Sequence, residues 1–228
     1  MLISDEILCG QTHDHVMANE EGVLIHMDVA APYVLMKQAA SKNGIDIKIA
    51  SGFRDFQTQK RIWDQKCQGK RALYDTQGKL LDTTHLSEDE LLAAIFRWSA
   101  IPGGSRHHWG TEIDVFDAAQ THDGYVVKLI PEEALSGGRF EALNRWLEAH
   151  SESFGFFRPY QKDQGGVSPE WWHLSYHPVS QFYFENHSLE LLTRVIRASS
   201  IEKKDAVLKQ LPDWYERYFR NITPQKGK

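Results

Sequence analysis

The sequence predicts an α+β fold in which helices flank a small, mainly antiparallel sheet. Two short segments, Ile45–Ala50 and Thr111–Phe116, alternate apolar and polar side chains as half-buried strands do. Segments with apolar residues at helical spacing lie on either side of them. The length of 228 residues, with 41% hydrophobic and 25% charged residues, suits a single domain over residues 1–228. Its core is expected at about 29–178, followed by a helical extension over 179–220.

The region around the first strand is predicted to hold two helices. Residues 1–28 show no periodicity, and we expect an irregular arm or a flap packed on the core. A His-Asp-His triplet at 13–15 has no helix or strand to hold it, so we expect no metal site there. Val29–Lys42 has the apolar spacing of a helix. Asp55 is the expected N-cap of a second helix that runs to about Lys66.

The middle of the chain is predicted to contain a polar excursion, that is, an insertion or hairpin outside the core, and a third helix. Residues 67–86 are polar and contain glycines, which is typical of an insertion or a hairpin, with a turn at 75–78. Ser87 and Glu90 have the spacing of a capping box, in which each residue satisfies the other's backbone N–H group. This box predicts a helix that runs to about Trp98.

After the second strand, the pattern predicts mostly helices. A helix is expected from about Arg139 to His150, and a long loop over 154–167. Trp171–Tyr176 has the character of a short strand. Two or three helices are expected between Val179 and Phe219, followed by a polar tail over 221–228.

Composition and charge limit the partners, the cysteine chemistry and the location that the sequence predicts. The net charge of −5 gives no reason to expect nucleic acid or an anionic membrane as a partner, and no apolar run is long enough to span a membrane. Cys9 and Cys67 are expected to be lone thiols rather than a disulfide. The first ten residues lack Lys and Arg, so the chain as written is expected in the cytoplasm, or in the periplasm if a leader was removed. No sequence feature indicates an oligomeric state.

Two separate segments offer metal ligands. Asp114 projects from a predicted strand, and histidines lie on the loop that leads into it. His173 follows Glu170 by three residues and lies beside two tryptophans. Zinc binds His nitrogen and Asp oxygen, and a catalytic zinc site keeps three protein ligands and one open position. The two segments together therefore predict one zinc site.

The residues alone do not decide which histidine of the loop is the ligand. Strand parity with Asp114 favours His108, but Gly110 interrupts the strand, so periodicity leaves His107 and His108 both open. Asp117 competes with Asp114 as the carboxylate, although its position beyond the alternation favours a turn residue.

The pattern resembles a known family, the zinc D-alanyl-D-alanine carboxypeptidases and dipeptidases of the vancomycin-resistance type. The wider group also holds lysostaphin-like endopeptidases and the hedgehog signalling domain. The family motifs fall, within about residues 30–178, on Ser51, Gly52, Phe53, Arg54, Gln59, Ser105, His107, Gly110, Asp114, Glu170 and His173. Two positions depart from the family pattern: Phe53 stands where Tyr is usual, and Glu112 where a small residue is common, so that Glu112 could alter the charge near the metal.

The resemblance implies a role for each of these side chains. The zinc ligands would be His107, Asp114 and His173, with His108 left as a neighbour of the site or a residue of the groove. Glu170 would be the general base, and its apolar neighbours favour a raised carboxyl pKa. Arg54 would stabilise the oxyanion that forms in the reaction. The substrate contacts implied by the family are Gln59, Ser105 and Trp172.

The implied activity is zinc-dependent D,D-carboxypeptidase hydrolysis of the terminal D-Ala-D-Ala bond in peptidoglycan stem peptides, precursors or muropeptides. A cytoplasmic enzyme would meet only precursors or recycled peptides. The alternatives are a D-Ala-D-Ala dipeptidase and a peptidoglycan endopeptidase, which differ in how the segments 67–86 and 154–168 shape the groove. A non-enzymatic zinc-binding module is a further alternative, but such a module needs neither Glu170 nor Arg54.

Overall fold

Short helices and two antiparallel sheets form the fold in the computed structural model, which describes residues 3–75 and 78–225. The helices are α1 (Asp5–Leu8), α2 (Ala30–Ser41), α3 (Phe56–Cys67), α4 (Glu88–Phe96), α5 (Pro131–Ala134), α6 (Glu141–His150), α7 (His177–Asn186), α8 (Leu189–Ala198) and α9 (Lys204–Trp214). The strands are β1 (Val16–Ala18), β2 (Leu24–His26), β3 (Ile47–Ser51), β4 (Glu112–Asp117), β5 (Phe156–Phe157) and β6 (His173–Tyr176). The predicted α+β class is confirmed.

The larger sheet places its polar residues on one face. Its strand order is β3-β4-β6-β5 and every pair is antiparallel. In the β4–β6 register, Asp114 lies opposite His173, and Glu112 lies opposite Ser175. Because side chains alternate along a strand and directly opposed residues share a face, these four side chains lie together.

The opposite face of this sheet packs into an apolar core with α2 and α6. Ile113 and Leu174, which alternate with the polar residues, are fully buried there. A second apolar cluster joins α3 and α4 to the C-terminal helices α8 and α9. The division into a core and a C-terminal extension stays a prediction, although α8 and α9 share their apolar cluster with α3 and α4.

The helix-cap predictions are confirmed. The Asp55 side chain accepts a hydrogen bond from the Thr58 backbone N–H at 2.6 Å and so caps α3. At the start of α4, both bonds of the Ser87–Glu90 capping box are present. The helix ends at Phe96, two residues earlier than expected. Up to residue 225, three helices follow β6 as predicted, and a π-helical segment at Tyr215–Arg220 continues the third.

The expectation of an irregular segment at 1–28 is wrong in part, because α1 and the β1–β2 hairpin lie there. The strands have three residues each, too few for an alternating pattern to show. The Asn19 side chain accepts hydrogen bonds from the backbone N–H groups of Glu21 and Val23 and closes the turn. The hairpin packs on the core as a flap, since the His26 backbone N–H donates to the Gly110 carbonyl at 2.8 Å.

Two loop predictions need correction. The long loop expected at 154–167 contains β5, which pairs with β6 at the edge of the sheet. The strand expected to begin at Trp171 begins at His173, because the preceding residues form a turn. The His173 backbone N–H donates to the Glu170 carbonyl at 3.3 Å and closes this turn, which brings Glu170 back beside His173.

Several smaller predictions have mixed outcomes. An antiparallel bridge joins Tyr74 to Leu80, as expected of a hairpin excursion. The two central residues of the turn predicted at 75–78, and residues 226–228 of the predicted tail, lie outside the described residues. Cys9 and Cys67 are free thiols, as predicted. Within the described part of the chain, no helix is both long enough and apolar enough to span a membrane.

Candidate active site

The first candidate ligand, His107, lies on a turn that ends at a glycine. A 3-10 turn at Arg106–Trp109 carries His107 and ends at Gly110, whose φ of 65° lies in the left-handed region. A Cβ atom at Gly110 would lie 2.6 Å from Val16 Cγ1 and 2.7 Å from the His26 backbone nitrogen. Only glycine therefore lets the flap approach this turn.

The His107 ring is oriented for metal binding. Its Nδ1 donates to the Gly52 carbonyl at 2.8 Å, and its Nε2 lies 3.4 Å from Asp114 Oδ2. Burial is the main cause that lowers the pKa of His107, to about 4, so the ring is neutral. A neutral imidazole with one nitrogen bonded to a carbonyl and the other free is the form that ligates metals.

His108 has both ring nitrogens occupied. Nδ1 donates to the Arg54 carbonyl at 2.6 Å, and Nε2 accepts from the Gly103 backbone N–H at 3.0 Å. The ring is fully buried, and burial lowers its pKa to about 3. Of the two histidines that periodicity left open, His107 belongs to a group that could hold a metal, whereas the contacts of His108 anchor the loop.

Asp114 and His173 complete the group of candidate ligands. His173 Nδ1 lies 2.9 Å from Asp114 Oδ1, as their direct opposition on β4 and β6 requires. One donor atom from each of His107, Asp114 and His173 lies within 4.8 Å of the others, and all three residues are buried. Although burial opposes ionisation of Asp114, the two imidazoles hold its pKa at about 2. Two imidazole nitrogens and one carboxylate oxygen are a ligand set that fits catalytic zinc.

The other residues considered as ligands have contacts of their own. Asp117 is the last residue of β4 and caps the 3-10 turn that follows, where it accepts hydrogen bonds from the backbone N–H groups of Asp46 and Ala119. His15 is buried against the metal loop, where its Nε2 donates to the His108 carbonyl at 2.9 Å. Of the residues described, none at 13–15 belongs to a group that could hold a metal.

Glu112 lies behind His173 in a buried network. Its Oε2 accepts from His173 Nε2 at 2.9 Å, while Oε1 accepts from Arg106 at 3.0 Å and Ser175 at 2.8 Å. Burial alone would raise the pKa of Glu112, but Arg106 and His173 hold it at about 2. An ionised carboxylate on the far nitrogen of a metal-ligating histidine fixes the orientation of the ring and strengthens it as a ligand. Glu112, which departs from the family pattern, thus affects the metal site through its hydrogen bond to His173.

Replacing Glu112 by Ala should weaken zinc binding by about 10- to 100-fold, because His173 loses the carboxylate that orients it. The Kd for zinc is measured by competition with a chromophoric chelator. Ser175→Ala is the matched control, since Ser175 belongs to the same network without contacting His173; its Kd should stay near that of the wild type. If the Kd for zinc were unchanged in Glu112→Ala, Glu112 would contribute only to packing and not to metal binding.

Arg54 is held at the cavity by its neighbours. Its Nη1 donates to Gln59 Oε1 at 2.8 Å and its Nη2 to Ser51 Oγ at 3.1 Å. Gln59 in turn donates to the Ala100 carbonyl at 2.6 Å and is fully buried. The substrate contact expected of Gln59 stays a prediction, and its contacts here are with Arg54 and the backbone.

Glu170 lies beside the ligands. Its Oε2 is 3.7 Å from His173 Nδ1, and its side chain is 15% exposed. Burial raises the pKa of Glu170 to about 7, against the opposing effect of His173. A carboxyl group that titrates near neutral pH can both accept and return a proton.

A cavity of about 590 Å³ joins these groups. Of the predicted site residues, those that line it are Arg54, Ser105, His107, Asp114, Glu170, Trp172 and His173. The excursion contributes Tyr74, and the loop after β5 contributes Tyr160 and Val167, so both segments shape the cavity as expected. Sequence reasoning missed Tyr160, the segment 128–132 and Lys66. For Lys66 a signal existed, since it follows Gln59 by seven residues on one predicted helix.

Comparison with known proteins agrees with this geometry. The family model described as VanY: D-alanyl-D-alanine carboxypeptidase matches residues 22–179. An uncharacterized protein of Haemophilus influenzae is 32% identical over 126 residues, which is 54% of this chain and 96% of that protein. A D-alanyl-D-alanine carboxypeptidase of Enterococcus faecalis is 30% identical over 150 residues, which is 64% of this chain and 46% of that enzyme.

Solved structures share the fold. VanYB in complex with D-alanine-D-alanine is 24% identical with a TM-score of 0.53, over 78% of this chain and 87% of that one. A vancomycin-resistance D,D-pentapeptidase VanY in complex with Zn(II), from a VanB-type cassette, is 26% identical with a TM-score of 0.52, over 78% of this chain and 88% of that one. Because the family model matches more than half of the chain, this protein belongs to the VanY family of D-alanyl-D-alanine carboxypeptidases.

Proposed function

We propose that this chain releases D-alanine from the D-Ala-D-Ala end of peptidoglycan stem peptides or their soluble precursors, with zinc held by His107, Asp114 and His173. The observation that carries the proposal is the convergence of this ligand group with Glu170 and Arg54 in one cavity. A zinc site that served only binding or structure would need neither a carboxyl group tuned to neutral pH nor a held guanidinium. Membership of the VanY family supports the same activity.

The proposed chemistry is peptide hydrolysis with one general base. A bound zinc ion supplies Lewis-acid chemistry, in that it polarises the scissile carbonyl and acidifies water. Glu170 accepts the proton of the attacking water and returns it to the departing D-alanine amine, and its pKa of about 7 suits both steps. Arg54 presents a charged group to the developing oxyanion, and its hydrogen bonds to Gln59 and Ser51 fix the guanidinium before the reaction.

The remaining predicted residues position the substrate. Ser105 and Trp172 both line the cavity, and Trp172 supplies an apolar wall. The Ser105 hydroxyl makes no capping bond to the turn that follows it, which leaves it available to the substrate. Gln59 acts indirectly, because it holds Arg54.

The test is a comparison of three substrates: a muramyl pentapeptide, free D-Ala-D-Ala, and a cross-linked muropeptide dimer. We expect release of D-alanine from the pentapeptide, at a higher kcat/KM than from the dipeptide. Cleavage of the dipeptide alone would make the protein a dipeptidase, and cleavage of the cross-link alone would make it an endopeptidase. Either result would overturn the carboxypeptidase proposal, although the same residues would carry out the catalysis.

A further inference from the structure

Lys66 lies in the catalytic cavity without a role in the proposed chemistry. It is carried by α3, two helical turns beyond Gln59, so both side chains lie on the same side of that helix. Gln59 is bonded to the Ala100 carbonyl, and Lys66 Nζ donates to the adjacent Ser99 Oγ at 2.6 Å. Lys66 is therefore fixed against the segment that leads into the metal loop, and it lines the same cavity as Arg54 and Glu170.

Among the residues described, no carboxylate contacts the ammonium group of Lys66. Its one hydrogen-bond partner among the residues described is the uncharged hydroxyl of Ser99, and no carboxylate oxygen of that part of the chain lies within 4.0 Å of its Nζ. On the same helix, by contrast, Lys60 Nζ lies 2.5 Å from Asp64 Oδ2. The Lys66 side chain is half-buried, and burial lowers its pKa to about 8. The more distant negative charge of Glu170 opposes this lowering of the pKa only in part. A half-buried ammonium group that no carboxylate contacts is costly, so an anionic ligand would gain by binding it.

The substrate class supplies such an anion. A stem peptide that ends in D-Ala-D-Ala carries a terminal carboxylate next to the scissile bond. A stem peptide with a diaminopimelate residue carries a further carboxylate on that side chain. We infer that Lys66, with Ser99, binds a carboxylate of the substrate and so selects substrates by charge. The inference rests on the proposed function, and the common chemistry is a carboxylate from either source.

The experiment measures peptide binding directly. The zinc-loaded Glu170→Gln protein is used so that the peptides stay intact, with and without Lys66→Met, and the Kd is measured by calorimetry. Four pentapeptides are compared, with a free or amidated C-terminus and with diaminopimelate or lysine at the third position. In all four, the α-carboxyl group of the γ-linked D-glutamate at the second position is amidated, so that only the two carboxylates under test differ. For the peptide with both carboxylates, Lys66→Met should raise the Kd by about 10- to 100-fold, as expected for the loss of a hydrogen bond between charged groups.

The pattern across the peptides identifies the carboxylate. If the terminal carboxylate is the ligand, Lys66→Met should have no effect on the amidated peptides. If the side-chain carboxylate is the ligand, the effect should vanish for the lysine-containing peptides. An equal effect on all four peptides, no effect on any of them, or no binding of any peptide would overturn the inference.

Two controls separate this role from a structural one. Lys60→Met removes a lysine of the same helix that is already paired with Asp64 and lies outside the catalytic cavity, so it should leave every Kd unchanged. Lys66→Arg keeps the charge and should restore most of the affinity. In the otherwise wild-type enzyme, Lys66→Met should raise KM by a larger factor than it changes kcat. If the wild type releases no D-alanine at all, the proposed function fails, whereas the calorimetry still tests Lys66.

Discussion

Replacing Glu170 by Gln should abolish the release of D-alanine and leave zinc bound. Glu170 lies outside the group of three candidate ligands, but its carboxylate lies 3.7 Å from His173 Nδ1 and its pKa is raised to about 7 by burial. Gln has nearly the same shape and cannot accept the proton. Loss of a general base lowers kcat by about 10²- to 10⁴-fold. The measurement is kcat with a muramyl pentapeptide, together with zinc content by atomic emission.

The matched control for this change is Glu132→Gln, since Glu132 lines the same cavity but is exposed and belongs to no ligand group. We expect Glu132→Gln to keep kcat near the wild-type value. A Glu170→Gln enzyme that turned over at the wild-type rate would remove Glu170 from the mechanism. A Glu170→Gln protein that lost its zinc would make Glu170 a ligand. The expected result would also exclude a non-enzymatic zinc module, whose function would not depend on a base.

His107→Ala and His108→Ala should have opposite effects, although the two residues are neighbours. His107→Ala removes one of three ligand atoms, and activity should be lost. Loss of a residue that only hydrogen-bonds a ligand weakens metal binding by about 10- to 100-fold, and His107→Ala should weaken zinc binding more than that. His108 bonds the loop to the Arg54 carbonyl and the Gly103 N–H group. His108→Ala should therefore keep the zinc and lower the free energy of unfolding by about 2–4 kcal/mol.

Zinc titration and chemical denaturation of both variants check this pair of predictions. The result that would contradict the site is the reverse one, in which His108→Ala loses zinc and His107→Ala keeps it. If both variants lost zinc while each kept its fold, the affinity for zinc would depend on the conformation of the whole loop and not on the His107 ring alone.

Local patterns sufficed for much of the fold and part of the site. The alternation around Ile113 placed Glu112 and Asp114 on one strand face, and the register of β4 confirms it. The capping residues Asp55 and Ser87 marked two helix starts correctly. These predictions succeeded because a strand face and a helix cap depend on residues only a few positions apart.

The remaining features depend on contacts between distant segments. The opposition of Asp114 and His173 spans 59 residues, and it is set by β-sheet register that neither segment encodes alone. The choice of His107 over His108 depends on which ring meets the Gly52 carbonyl, a contact between β3 and the metal loop. The hydrogen bond from Lys66 to Ser99 likewise joins two elements with no shared motif. Family resemblance supplied His107 where periodicity could not.

The central claim is that one zinc ion at the group of His107, Asp114 and His173 supports hydrolysis. The most direct measurement is the rate of D-alanine release from a muramyl pentapeptide as zinc is added back to chelator-treated enzyme. The rate should rise from near zero and level off at one equivalent of zinc, and the Asp114→Ala enzyme should stay inactive over the same range. Full activity in the zinc-free enzyme, or no release at any zinc level, would contradict the account.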